Sequence, residues 1–167
     1  MSLPTHNTTD IKTLRESLKQ IEEICRGTET EWNHYCLLSR RAELDYALGQ
    51  EIKAAEDLIS GLDGFPKKET MPELLGYIDT ASLLVEILLK IGRNDEALEL
   101  ADKIFGYGCV EFEGTYELIK SEELYARCLL AVGRIEEAKG HYEEAMGMIE
   151  EHIAEAVSIR DDIKEKL

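Results

Sequence analysis

Three glycines set the plan of this 167-residue chain. They stand in Leu48-Gly49-Gln50, Ile91-Gly92-Arg93 and Val132-Gly133-Arg134, each an apolar residue, glycine and a polar residue. Five residues after each glycine comes an alanine: Ala54, Ala97 and Ala138. Glycine closing an apolar-periodic stretch marks a helix that ends with φ > 0, because no Cβ opposes the left-handed turn. A small residue in the next helix then lets the two helices lie close. The pattern predicts three helix–turn–helix hairpins, with turns recurring after 43 and then 41 residues.

The rest of the chain reads as helices between these turns. Asp10 can cap a helix whose Ile11, Leu14, Leu18, Ile21 and Cys25 follow a three-four spacing, ending at Gly27. Thr28-Glu-Thr-Glu31 has the form of a capping box and opens a helix to Leu48, with Tyr35, Leu38, Ala42 and Tyr46 facing inward. A shorter helix carries Ile52, Ala55, Leu58 and Ile59. The stretch 61–69 concentrates Gly, Asp and Pro and predicts a loop. Thr70-Met-Pro-Glu73 forms a second capping box, with Pro72 tolerated in the first turn. The helix it opens reaches Ile91 through Tyr77, Ala81, Leu84, Val85 and Leu88. Asn94 can cap the following one, which holds Ala97, Leu100, Ala101 and Ile104 and is expected to stop at Gly106-Tyr-Gly108. Glu111 or Gly114 opens the next, with Leu124, Ala126, Cys128, Leu129 and Val132 on its apolar face. After Gly133 a last stripe runs through Ile135, Ala138, Tyr142, Ala145 and Ile149. It continues through Ile153, Val157 and Ile163 towards Leu167, where it is expected to close the C-terminal end of the helix stack. No strand pattern of useful length appears, so the fold class is all-α, with about seven antiparallel helices.

Residues 121–146 carry a fuller signature: a small residue in the first helix, the turn glycine, then Ala138, Tyr142 and Ala145 in the second. This resembles a tetratricopeptide repeat (TPR). A standard repeat recurs at about 34 residues, and HEAT and armadillo repeats at about 40–47; the longer spacing here fits a long-helix TPR variant. The resemblance covers residues 31–150. The first unit lacks the aromatic in its second helix, and the second has Ala101 and Ile104 where an aromatic and Ala are usual. The resemblance implies an α–α superhelix: a flexible N-terminus over 1–9, then a single domain over 10–167. Its units would span about 31–62, 72–106 and 114–150, with capping helices 10–26 and 150–167. It also implies an adaptor or scaffold that holds a peptide or helix of a partner protein in a concave groove lined by first helices. Carried over from each turn glycine, that groove takes Ser39, Glu43 and Tyr46 from the first unit. Asp79, Ser82, Glu86, Leu89 and Lys90 come from the second, and Lys120, Glu123, Arg127 and Leu130 from the third. One TPR subgroup clamps a C-terminal carboxylate with Lys and Asn; Ser39 and Glu43 stand at the matching places, so no such clamp is expected. The alternative is a small acidic TPR-type chaperone for one client. Type III secretion chaperones are similar in length, charge and repeat count but have the shorter period. A helical metal protein or enzyme stands third.

Charge and chemistry narrow the partner. Hydrophobic residues make up 44% of the chain, enough for a packed core. The formal charge of −16 disfavours phosphate backbones and anionic lipid, and favours a basic or amphipathic protein segment. Neither nucleic acid nor membrane is an expected partner. Four scattered cysteines without a Cys-x-x-Cys suit reduced thiols and a cytoplasmic location. Glu31-x-x-His34 is a single copy of a motif that di-iron bundles need twice with further carboxylates, and Glu137 with His141 is a chance spacing in a chain of 35 acidic residues. Cys25 and Cys128 fall on apolar stripes; Cys109 is expected in a loop as the most reactive thiol, with no histidine near it. No Gly-x-Ser-x-Gly occurs, and Gly106-Tyr-Gly108 is too short to cradle a phosphate. Trp32 reads as a helix-start aromatic closing one end of the core. No catalytic residue, metal site or cofactor is expected.

Overall fold

The computed structural model describes residues 8–24, 26, 31–63 and 70–165. All regular structure among them is helical, in seven helices. They group into two compact units, residues 1–93 and 94–167. The first holds α1 (Thr8–Ile24), α2 (Glu31–Ala47), α3 (Glu51–Asp63) and α4 (Met71–Ile91). The second holds α5 (Asn94–Glu111), α6 (Tyr116–Ala131) and α7 (Ile135–Glu165). In the first unit α2 packs against α1, α3 and α4, and α3 against α4; in the second, α6 lies between α5 and α7.

The three glycine turns share one construction. Gly49, Gly92 and Gly133 have φ of 74°, 81° and 84°. After each, the polar residue's N–H donates back five residues: Gln50 to the Asp45 carbonyl, Arg93 to Leu88 and Arg134 to Leu129, at 2.8–2.9 Å. The glycine N–H itself donates to Tyr46, Leu89 or Leu130. This pair of bonds satisfies carbonyls that a helix end otherwise leaves open. Ala54, Ala97 and Ala138 are all buried, as the spacing requires. Thr70 caps α4 as read: its hydroxyl accepts from the Glu73 N–H, and the Glu73 carboxylate accepts from the Thr70 N–H at 2.9 Å.

The core of the first unit is built on Tyr35, Ala42, Ala54, Ala55, Leu58, Leu84, Val85, Ile87 and Leu88. That of the second uses Ala97, Ala101, Ile104, Ile119, Leu124, Ala126, Cys128, Leu129, Ala138 and Ala145.

Several boundaries differ from expectation. α1 begins at Thr8, so Asp10 lies inside it and is not its cap. α3 runs through Gly61 to Asp63, taking the first three residues of the expected 61–69 loop; residues 64–69 lie outside the described ones, as do Cys25, Gly27 and Thr28. The most informative difference is in α5. It continues through Gly106 and Gly108 to Glu111. At Gly108 an added Cβ would stand 2.4 Å from Ser121 Oγ and 3.3 Å from Leu118 Cδ1. This glycine is required by the close approach of α6, not by a turn. Thr115, not Glu111 or Gly114, stands at the start of α6. Asn94 donates its side-chain amide to the Ala131 carbonyl, 3.2 Å away, tying the start of α5 to the end of α6.

Candidate functional site

The predicted groove residues fall in both units, and each unit treats them differently. In the first, Ser39 donates to Thr80 Oγ1 at 2.8 Å, while the Thr80 hydroxyl donates to the Gly76 carbonyl. Ser39 is thus committed to the α2–α4 contact. Glu43 is paired with Arg40 one turn before it. Tyr46 is half-buried, and its phenol pKa is raised, first by burial and then by the carboxylates of Glu51 and Glu86. Asp79 and Lys90 are exposed; Ser82, Glu86 and Leu89 are half-buried. Ser39 and Asp79 share a small depression of about 250 Å³ with Tyr35, Arg40 and Thr80.

The second unit offers a larger feature. α6 is buried on most sides and leaves open a strip of Lys120, Glu123, Arg127 and Leu130. Lys120 pairs loosely with Glu117 and lies over the Tyr116 ring, and Arg127 Nε meets Glu123 at 3.1 Å. Beside this strip, α7 presents Ile135, Lys139, Tyr142, Met146 and Gly147. With Leu130 they line a groove of about 520 Å³, floored by Ala138 and rimmed by Glu143 and Glu150. Leu130 is 50% exposed, Ile135 61% and Met146 55%. Large apolar side chains so open to water, side by side in a concavity, are characteristic of a contact surface. Tyr142 lies next to α6: burial raises its phenol pKa, as does the Glu123 carboxylate.

α7 then runs on past α6. At about 1.5 Å per residue it is about 46 Å long, against about 24 Å for α6. The two helices run antiparallel from the Gly133 turn, so the start of α6 at Tyr116 lies opposite the middle of α7. From Ile149 to Asp161 every residue is exposed, including Ile149, Ile153, Val157 and Ile159. The expectation that this stripe closes the C-terminal end is therefore corrected: among the described residues it covers nothing, because it projects past the helices it would have to cover. Ile163 lies outside the residues whose side chains are described.

A polar cluster sits on the other side of α7. Glu122, with 5% of its side chain exposed, faces His141 Nδ1 at 3.0 Å. His141 meets Phe105 and Tyr125 edge-on, centroids 5.4 and 4.9 Å away, and those two rings stack at 5.2 Å. Burial raises the Glu122 pKa; the His141 hydrogen bond opposes this, and the neighbouring Glu144 carboxyl reinforces it. Glu122, His141 and Glu144 bring ligand atoms within 4.8 Å of one another, a set that could hold a cation by geometry. Glu122 and His141 already hydrogen-bond each other, and Glu144 is exposed. Glu137, paired with His141 by spacing, instead takes Arg134 at 2.7 Å. Cys109, expected in a loop, lies in α5 as an exposed residue; partial burial of its thiol and the carboxylates of Glu122 and Glu144 raise its pKa. Glu31 and Trp32 open α2, but their side chains lie outside those described.

No described helix is long and apolar enough to cross a membrane. No protein-family model, curated protein or solved structure significantly matches the chain. Of the groove residues expected on α6, namely Lys120, Glu123, Arg127 and Leu130, only Leu130 lines this concavity, and sequence reasoning missed that α7 supplies the rest of its lining. The signal was present: the stripe that includes the buried Ala138 and Ala145 is flanked by the larger Ile135 and Met146, which stay exposed.

Proposed function

We propose that the chain is a TPR-like protein-binding adaptor whose main recognition surface is the α6–α7 groove, and that it takes an amphipathic helix of a protein partner. The observation that carries this reading is the row of exposed Leu130, Ile135 and Met146 beside the half-buried Tyr142 in one concavity. A helix laid there would bury its apolar side as the next helix of a stack does. The net charge of −16 favours a ligand whose flanks are basic. Relative to the first-helix groove implied by the repeat resemblance, this reading keeps Leu130 and adds the facing side of α7. A photo-crosslinking side chain at Met146, in the native cell, tests it. The expected result is an adduct with a protein, lost when Ile135→Glu is added and absent when the crosslinker stands at Glu99 on α5. Equal labelling from Met146 and Glu99, or none from Met146, overturns the reading.

A further inference from the structure

We infer that Glu122, His141 and Glu144 form a site for one divalent transition-metal ion of the zinc class, which clamps α6 to α7. None of the three lines the groove, so the inference stands apart from what the groove holds. Position, charge and donor chemistry each carry it.

Position comes first. One ligand atom from each of the three lies within 4.8 Å of the other two. Zinc holds nitrogen and oxygen at about 2.0–2.2 Å, so two ligands on a tetrahedral ion stand about 3.3–3.6 Å apart. Glu122 Oε1 and His141 Nδ1 are 3.0 Å apart. They need to part by only about 0.5 Å to admit the ion. His141 and Glu144 are three residues apart and so share a face of α7. Glu144 is exposed, and a turn of its side chain closes the remaining distance. The sequence expects no metal because spacing pairs His141 with Glu137; the ligand that completes the set comes from α6, nineteen positions away.

Charge is the second argument. Among the described residues, Glu122 is the one charged residue that is buried. A carboxylate withdrawn from water needs a positive partner or must lose its charge. Glu144 brings a second carboxylate within 4.8 Å of it. Two carboxylates at that range repel unless a proton or a cation lies between them. Among the described residues no lysine or arginine pairs with either one. A dication held between them meets both demands at once.

Donor chemistry is the third. Calcium and magnesium take oxygen ligands, whereas an imidazole beside two carboxylates suits zinc and its first-row neighbours. Phe105 and Tyr125 meet the His141 ring edge-on, with centroids 5.4 and 4.9 Å away, and fix its plane. A ring so held is presented to an ion with little further ordering. Three protein ligands leave one tetrahedral position for water, on the side where Glu144 is open to solvent. Cys109, exposed on α5, is outside the set.

Equilibrium dialysis of the purified full chain, first stripped with a chelator, against micromolar zinc tests this. Magnesium at about 1 mM occupies the generic surface carboxylates. The expected result is one zinc per chain, with a higher urea midpoint in its presence, because the ion binds the folded arrangement. Glu144→Gln and His141→Gln should each lower zinc affinity about tenfold or more. Glu144 is exposed, so its variant should keep the far-UV circular dichroism of the parent and tests the site even where the His141 variant is destabilised. Glu151→Gln, elsewhere on α7, and Cys109→Ser should bind zinc as the parent does. No retained zinc, full retention by Glu144→Gln, or loss of zinc on Cys109→Ser overturns the inference.

Discussion

The same substitution, glycine to alanine, should have opposite effects at two places in the second unit. Gly133 has φ of 84° and Gly106 lies within α5; at neither would an added Cβ meet anything within 4 Å. Sterics between residues therefore drop out, and only the local backbone decides. At Gly133, alanine must adopt the left-handed region, at a cost of about 1–2 kcal/mol. The unfolded chain meanwhile loses freedom, which returns about 0.4–1 kcal/mol. Gly133→Ala should destabilise by about 1 kcal/mol net. At Gly106 the backbone is already helical, and alanine should stabilise by about 1 kcal/mol. Both residues lie in the unit spanning 94–167, so one unfolding transition reports on both. With a urea slope of about 1–3 kcal/mol per molar, the two variants should differ in midpoint by about 1 M, followed by far-UV circular dichroism. The result also distinguishes two descriptions of α5. If Gly106 ended the helix in a left-handed turn, as its spacing with Gly108 predicts, both substitutions would destabilise. Equal signs would refute a continuous α5.

Three further outcomes are expected. Ala138→Leu should overfill the α6–α7 contact, where Ala138 is 1% exposed, and cost about 1–3 kcal/mol; an unchanged denaturation midpoint would show that the helices do not meet there. Thr70→Ala removes half of the capping box and should cost about 1 kcal/mol, most visible as faster amide exchange at Glu73. Glu122 has a raised pKa, so the folded state holds its proton more tightly than the unfolded state; its contribution is full below the ordinary carboxylate range and is lost as pH rises through the folded value. Glu122→Gln should flatten that decline in urea midpoints measured across mildly acidic to neutral pH, and an unaltered pH profile would refute the assignment.

How much of the fold could be read ahead depends on where its determinants lie. The Gly49, Gly92 and Gly133 turns are local: an apolar residue, a glycine and a polar residue fix the backbone bonds that end the helix, and Ala54, Ala97 and Ala138 follow in register. The Thr70–Glu73 box is local for the same reason. Gly108 is not. In sequence it resembles a stop; its cause is Ser121, thirteen positions away and packed against the α5 backbone. One glycine serves a turn and the other a contact, and only the neighbour tells them apart. Glu122 was equally opaque: its partners His141 and Glu144 reach it from another helix.

The long stripe of α7 presents the opposite problem. Its periodicity was legible from Ile135 to Ile163, and periodicity guarantees an apolar face but not a surface to cover it. Whether that face is buried depends on length, and here the lengths disagree: α7 has 31 residues where α6 has 16. The extra turns carry Ile153 and Val157 past anything in the unit that could cover them. The uncovered stripe is therefore a consequence of the mismatch between adjacent helices, whereas the groove lies along the half of α7 that runs beside α6. Pairing with α6 buries Ala138 and Ala145 on that half and leaves Ile135 and Met146 open, so length alone decides the fate of the stripe only beyond Ile149.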